Sequence, residues 1–271
     1  MKKLFILFAF MSMASLTYGQ DMTSKKGTPI LPEVGDYWIG IDAVPILEYV
    51  GNMWNSGSNS APSWSYTDSL VITGGKVIDA NTSYRARLRL GIIDSRVNEY
   101  ATVDDANAGS QAFDKVKMSQ TNIEIGLGIQ KNRGNHRIRG IYGAQARIGF
   151  GSGKTTHEFA NAFSDTNQQP STGIPGQGGS SRVTEVKNGS TFLIGVGGFV
   201  GAEYFFAPKI SIAGEFGLGI SYSSTGEGEV TNESWDSTAS AVTTDTAKTG
   251  KSNAFVFDSL PSGSLVISFY F

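Results

Sequence analysis

Residues 82–92 read "TSYRARLRLGI", a stretch in which three arginines alternate one by one with Tyr84, Ala86, Leu88 and Leu90. A β-strand sends successive side chains to opposite faces, so the stretch predicts a strand with one charged and one apolar face. Three structures use such a strand: a surface that binds nucleic acid, a half-exposed strand of a soluble sheet, and a membrane strand with a wet inner face. The rest of the chain decides among them.

Composition limits the choice. The chain has 271 residues, enough for one large or two ordinary domains, and 17% of them are charged, against roughly 25% in typical soluble domains. It contains 34 glycines and no cysteine, so disulfides cannot stabilise it. Mean hydropathy is −0.13, and no apolar run after the first twenty residues is long enough to predict a membrane-spanning helix.

The N-terminal stretch "MKKLFILFAFMSMASLTYGQ" has the pattern of a secretory signal peptide. Two lysines precede an apolar stretch, and small residues follow at Thr17 and Gly19, which predicts cleavage after Gly19 and export. Cleavage would remove two of the 22 basic residues and leave the 24 acidic residues in excess by four. An acidic mature chain argues against a nucleic-acid partner. We therefore expect a signal peptide at 1–19, a flexible periplasmic lead-in at 20–36 and one domain at 37–271.

Eight segments with period-two alternation predict eight strands, at roughly 37–49, 70–78, 83–93, 120–130, 136–150, 191–206, 210–222 and 253–271. Their connections alternate strictly between short turns and long polar loops. The short turns are 79–82, 131–135 and 207–209, and the loops are about 50–69, 94–119, 151–190 and 223–252. This alternation is typical of outer-membrane barrels, which have periplasmic turns at one end and surface loops at the other.

The two faces of these segments differ in chemistry. Arginines that faced lipid would each cost about 2–4 kcal/mol near the bilayer midplane, so the charged face is predicted to line the interior. The predicted interior charges are Asp42, Glu48, Lys76, Arg85, Arg87, Arg89, Glu124, Arg137, Arg139, Arg147, Glu203 and Glu215. Counting from each short turn places Glu215 at mid-height with Arg87, and Arg85 in a lower tier.

Aromatic residues cluster at both ends of the apolar face, as bilayer interfaces favour. The predicted belt at the short-turn end contains Tyr37, Tyr84, Tyr204, Phe206, Phe269 and Phe271, and the belt at the loop end contains Tyr49, Phe150, Phe192 and Tyr222.

With these features the chain resembles the small eight-stranded outer-membrane β-barrels of Gram-negative bacteria, the OmpA-transmembrane-domain and OmpX type. The resemblance covers about 37–271 and includes the terminal "LVISFYF". It implies an antiparallel up-and-down transmembrane barrel in the cell outer membrane, in contact with lipid and lipopolysaccharide. It also implies that the barrel-assembly machinery reads the last strand and its terminal aromatic, Phe271. Pro45 inside the first strand departs from the ideal pattern and implies a bulge.

Three functional classes follow from this fold. Because an eight-stranded barrel has room inside for little but its own side chains, we expect the interior charges to form an ion-pair plug. The favoured class is then a non-enzymatic barrel that serves envelope integrity or presents loops to a partner, as an accessory subunit of a larger outer-membrane complex. A narrow pore for small solutes or ions and a hydrolase borne on the loops are the alternatives.

Motifs for cofactors and catalysis are weak. "GFGSGKTT" (149–156) resembles a phosphate-binding loop, but Ile148 stands where that motif needs its first glycine. His157, with Glu158, Ser152 and Asp104 or Asp105, is the one conceivable catalytic assembly. Two separated histidines without cysteine give no metal-ligand spacing. We expect no enzyme, cofactor or metal.

Overall fold

The computed structural model describes residues 23–42, 70–104, 110–134 and 136–271, without the side chains of 70 and 258–264. Within these residues the chain is all-β and antiparallel. The strands are β1 Tyr37–Asp42, β2 Leu70–Asp79, β3 Thr82–Thr102, β4 Gln111–Arg133, β5 Ile138–Glu158, β6 Ser181–Ala207, β7 Ile210–Thr225, β8 Glu229–Asp236, β9 Ala241–Lys248 and β10 Ser252–Tyr270. No helix in the described parts is long and apolar enough to cross a membrane.

Eight of these strands close into a ring. Each of β1 to β6 pairs with the next, β7 pairs with β10, and β10 pairs with β1. The ring is compatible with a β-barrel. Its short-turn end carries the connections 80–81, 134–137 and 208–209, and its loop end carries the longer connections 103–110, 159–180 and 226–251. The predicted turns 79–82 and 207–209 contain two of these short connections, whereas the third lies later than predicted, at 134–137, because residues 131–133 continue β4.

The loop end differs from the prediction, because much of the sequence expected to form loops is strand. β3 and β4 continue as a hairpin to Thr102 and Gln111, and the stretch 223–252 contains the hairpin β8–β9, which pairs with β6 outside the ring. The described residues thus contain ten strands where eight were predicted. Threonine and serine hydroxyls pair across β8 and β9; the hydroxyl oxygens of Thr231 and Thr246, for example, are 3.2 Å apart. The two strands therefore pair through polar side chains, although neither has an apolar face.

Burial alternates along the ring strands as the period-two pattern predicts. On β4 the odd positions Ile125, Leu127 and Ile129 are exposed by 44%, 63% and 48%, whereas Gln130 on the opposite face is 3% exposed. The same arrangement, with apolar residues exposed and polar residues buried, recurs on β6 and β7: Val196 and Leu218 are exposed, and Glu203 and Ser211 are buried. The ring therefore has an apolar exterior and a polar interior.

The lead-in is not the flexible segment that the sequence suggested. Residues 23–36, here called the strap, cross the short-turn end of the ring and place Ile30 at 0% exposure. Ile30 packs in an apolar cluster of inward-facing side chains, Trp38, Val77, Phe205 and Tyr270. The backbone N–H of Lys209 donates to the Ile30 carbonyl at 3.0 Å, and that of Gly35 to the Val77 carbonyl at 2.9 Å. The strap closes this end with apolar packing.

An ion pair outside the ring strengthens this closure. The Nζ of Lys209 lies 2.7 Å from an Asp36 carboxylate oxygen. Burial alone would raise the pKa of Asp36, but hydrogen bonds from Lys209 and the Glu33 backbone bring that pKa below its ordinary value of 3.8. The hydrogen bond with Asp36 raises the pKa of Lys209 above 10.5, against the opposing effect of burial.

The strap should therefore be held most firmly between these two titrations. Because its pKa is lowered, the ionised Asp36 stabilises the strap above about pH 4, and this stabilisation is lost as pH falls through the lowered pKa. Because its pKa is raised, the protonated Lys209 stabilises the strap below about pH 10, and this stabilisation is lost as pH rises through the raised pKa. Fluorescence of Trp38, measured against a Trp38→Phe control, should report strap release at both extremes. Identical acid transitions in the unmodified chain and in Asp36→Asn would contradict the role of this pair.

Candidate functional site: the charged interior of the ring

The interior is crossed at mid-height by one ion pair. Arg85 on β3 and Glu215 on β7 come from opposite sides of the eight-strand ring, yet the two guanidinium NH groups of Arg85 lie 2.7 and 2.6 Å from the two Glu215 oxygens. The same guanidinium donates to Gln130 at 3.2 Å and lies 4.3 Å from the Phe199 ring centroid. Such a bidentate pair is among the stronger charged hydrogen bonds. Side chains therefore fill the middle of the ring.

A second network lies nearer the short-turn end. Glu203 is 2% exposed and accepts hydrogen bonds from Arg139 Nε at 2.8 Å, Ser211 Oγ at 2.5 Å and the Tyr270 hydroxyl at 2.8 Å. Arg139 also donates to the Tyr270 hydroxyl at 3.1 Å. Because β5 and β10 are not neighbours, the Arg139–Tyr270 contact spans the interior. The carboxylate is fully satisfied, which offsets the cost of burying both charges.

The upper interior is more loosely paired. Arg147 Nη1 lies 3.7 Å from a Glu124 oxygen. Arg87 and Arg89 are half-buried on the inner face of β3, and their Nε atoms have no hydrogen-bond partner among the described residues. The Nε atoms of Arg85, Arg137 and Arg147 likewise have no hydrogen-bond partner among the described residues.

The remaining predicted interior residues lie in different places. Arg137 is half-buried and donates to the Phe205 carbonyl at 3.3 Å, and Asp42 is half-buried at the end of β1. Glu48 lies outside the described residues, as does Tyr49 of the predicted loop-end belt.

Lys76 corrects the sequence prediction. It is exposed and pairs in register with Tyr37 and Tyr84, both on the outer face, and its Nζ lies 4.9 Å from the Tyr37 ring centroid. The inner face of β2 is formed instead by Thr73, Gly75 and Val77. At this end the strap supplies an apolar surface inside the ring, so an apolar Val77 points inward and the lysine points out.

The sequence did not predict four large aromatic side chains inside the ring, Trp38, Phe199, Phe205 and Tyr270. Tyr270 and Phe199 are 6% and 8% exposed and contact the interior arginines. Alternation could have located Tyr270, because it lies between the outward Phe269 and Phe271. The position of Phe199 depends on Gly143 of the neighbouring strand, where an added Cβ would come within 2.8 Å of the Phe199 ring.

The predicted belt residues in the described parts are mostly exposed at the two ends of the apolar face. Tyr37, Tyr84, Phe206, Phe269 and Phe271 lie at the short-turn end, and Phe150, Phe192 and Tyr222 at the loop end. Tyr204 is half-buried, and Tyr142, which the belts omitted, is 50% exposed.

The conceivable catalytic groups at the loop end are engaged elsewhere. Burial lowers the pKa of His157, partly offset by a hydrogen bond with the Val183 backbone. Glu158 pairs with Lys117 and Lys115, and Asp104 accepts from Asn167 and the Ser171 backbone; neither carboxylate binds His157 in the described part of the chain. The residues that the structure describes contain no group of three His, Cys, Asp or Glu side chains that could hold a metal ion.

The "GFGSGKTT" stretch does not open a helix. It continues β5 as strand, and Lys154 pairs with Glu185 at 2.6 Å on the neighbouring strand. Its lysine is therefore used in a cross-strand ion pair, unlike the lysine of a phosphate-binding loop.

These observations define an all-β protein with a ring of antiparallel strands around a charged interior. Neither the models of known protein families nor the curated proteins give a match to this sequence.

Proposed function

We propose that the protein is a non-enzymatic outer-membrane β-barrel whose interior is closed by its own side chains. In this proposal the barrel anchors a folded loop-side surface that serves envelope integrity or binds a partner, as an accessory subunit of a larger outer-membrane complex. Both termini lie in the periplasm. The observation that carries the proposal is the band of exposed apolar side chains around a charged interior.

The exterior band is far larger than a soluble monomer normally exposes. Contiguous apolar patches on soluble monomers are about 300–600 Å² at most. Here the exposed apolar residues run over the described part of every ring strand, including Ile39, Leu90, Leu127, Ile148, Val196 and Leu218. A bilayer would cover this band, and Lys76 beside Tyr37 would reach the headgroup region as long cationic side chains do.

Closure of the interior supports a barrel that does not conduct. From the short-turn end upward, a path through the ring meets the Ile30 cluster, then the Glu203 network, then the Arg85–Glu215 pair. Each layer contains contacts between strands that are not neighbours. Water could pass only if these buried pairs separated, which would leave uncompensated charges.

The loop end supports a role in partner binding, because its connection 159–180 is folded. Asp114 is 0% exposed and accepts hydrogen bonds from Ala160 N at 2.7 Å, Thr172 Oγ1 at 2.6 Å and Gly173 N at 2.8 Å. Arg182 donates to the Asn161 carbonyl at 2.8 Å. The segment 171–181 is thus anchored at its start. A fixed surface loses less entropy on binding than a mobile one.

The last strand and its terminal aromatic support the proposed route of assembly into the membrane. Phe271 is 69% exposed beyond β10 and its backbone pairs with Tyr37 at the β1–β10 junction. In this proposal the barrel-assembly machinery reads this exposed terminal aromatic. In the mature protein the apolar band would contact outer-membrane lipid and lipopolysaccharide.

Conductance tests the proposal directly. The purified chain reconstituted in planar bilayers should give no steady single-channel steps, because the Arg85–Glu215 layer blocks the interior. Glu215→Ala should also give no steady steps, because the Ile30 cluster and the Glu203 network still close the short-turn end. Well-defined steps from the unmodified chain, with ion selectivity that changes in Glu215→Ala, would establish the narrow pore instead.

A further inference from the structure

A cleft of about 400 Å³ lies at the loop end of the ring's interior, between β3, β4, β5 and β6. Its polar lining comes from Arg89, Gln120, Asn122, Glu124, Asn188 and Thr191. Gln120 and Asn188 are exposed, so the cleft reaches the surface. Below it the Arg147–Glu124 and Arg85–Glu215 pairs occupy the interior. The cleft is a dead end, shaped to hold a molecule and not to pass one.

One wall of the cleft has no side chains. Gly149, Gly151 and Gly153 alternate on the inner face of β5. A Cβ at Gly151 would lie 2.7 Å from Asn122 Oδ1, and one at Gly153 would lie 2.9 Å from Asn188 Nδ2. These glycines therefore leave the space that the two amide side chains border. Larger residues on this face would fill the cleft.

Arg89 gives the cleft a preference for negatively charged ligands. Its Nε is buried without a hydrogen-bond partner among the described residues. Glu124, which pairs with Arg89 in register and also lines the cleft, lies 3.7 Å from Arg147, and Glu215 pairs with Arg85. A guanidinium presents its donors in a fork that matches a carboxylate or a phosphate. Asn122 and Asn188 can donate further hydrogen bonds from their side-chain amides.

We propose that this cleft binds a small anionic ligand, whose carboxylate or phosphate group is held by the Arg89 guanidinium and the amides of Asn122 and Asn188. The ligand enters from the loop end and stays above the Arg85–Glu215 layer. The proposal depends on the interior of the ring and not on a membrane, so it stands or fails separately from the proposed function.

The test uses the full chain folded in detergent, with inorganic phosphate and malonate as separate probes at constant ionic strength set by sodium chloride. Calorimetry should show saturable binding of at least one probe, and that probe should raise the unfolding temperature where chloride does not. R89Q should weaken binding by about tenfold or more, the loss expected for a charged hydrogen bond.

The matched control is R96Q. Arg96 lies on the same strand with its side chain 72% exposed, where it pairs with Asp94, so R96Q should bind like the unmodified chain. N122A leaves every ion pair in place and should weaken binding several-fold even if R89Q fails to fold. Absence of saturable binding by both probes, or equal binding in N122A and R96Q, would overturn the proposal.

Discussion

Leu127→Arg should prevent assembly of the folded chain into the outer membrane. Leu127 is 63% exposed on the outer face of β4, between Ile125 and Ile129, and in the proposed barrel it faces lipid. A charge there costs about 2–4 kcal/mol near the bilayer midplane, a large part of the roughly 5–15 kcal/mol that stabilises an ordinary domain. The measurement is the fraction of chain that migrates as a heat-modifiable folded band in the outer-membrane fraction of cells.

The control for this change is Val242→Arg. Val242 is 46% exposed on β9, in the hairpin outside the ring, where an arginine would meet water. Its folded fraction should equal that of the unmodified chain. If cells assembled both variants equally well, the outer face of the ring would not be in contact with lipid, and the membrane proposal would be wrong.

Glu203→Leu should cause the largest loss of stability among the interior changes. It removes the carboxylate that Arg139, Ser211 and Tyr270 share and leaves the Arg139 guanidinium, which is 5% exposed, without its ion pair. Breaking a buried pair in this way costs about 3–5 kcal/mol. The temperature at which the folded band is lost in gels should fall accordingly.

Two companion variants identify the cause. Arg139→Met combined with Glu203→Leu should recover most of the lost stability, since replacing both charges by apolar groups removes the uncompensated cation. Glu229→Gln breaks the exposed pair with Lys187, whose oxygen and nitrogen are 3.4 Å apart, and should cost less than about 1 kcal/mol. A double variant as unstable as Glu203→Leu alone would show that side-chain volume, and not charge, explains the effect.

The β8–β9 hairpin shows where the sequence pattern fails to predict a strand. Its residues include Val230 and Val242, but most are threonine, serine and charged residues, which also make up loops. Alternation between polar residues gives no contrast between faces, so composition suggested a loop. The threonines and valines of the two strands, residue types that favour strands, were the available signal, and pairing of β8 with the extended β6 decided the outcome.

The interior pairings could not be predicted by counting from the short turns. That count placed Arg85 a tier below Glu215, yet the two form the bidentate pair across the ring. Strands of a closed ring are tilted and staggered, so residues at equal distance from their turns are not at equal height. The partner of a given charge therefore depends on the closed ring as a whole.

The sequence by itself determined the two faces of most ring strands and the approximate positions of the short turns, because alternation and turn chemistry are properties of a few consecutive residues. The arginines of "TSYRARLRLGI" are inside the ring for this reason. Only the tertiary structure decided what lies opposite each inner face. Where the strap covers the short-turn end, Ile30 makes that part of the interior apolar and Lys76 points outward, since a side chain's environment is set by segments distant in the chain.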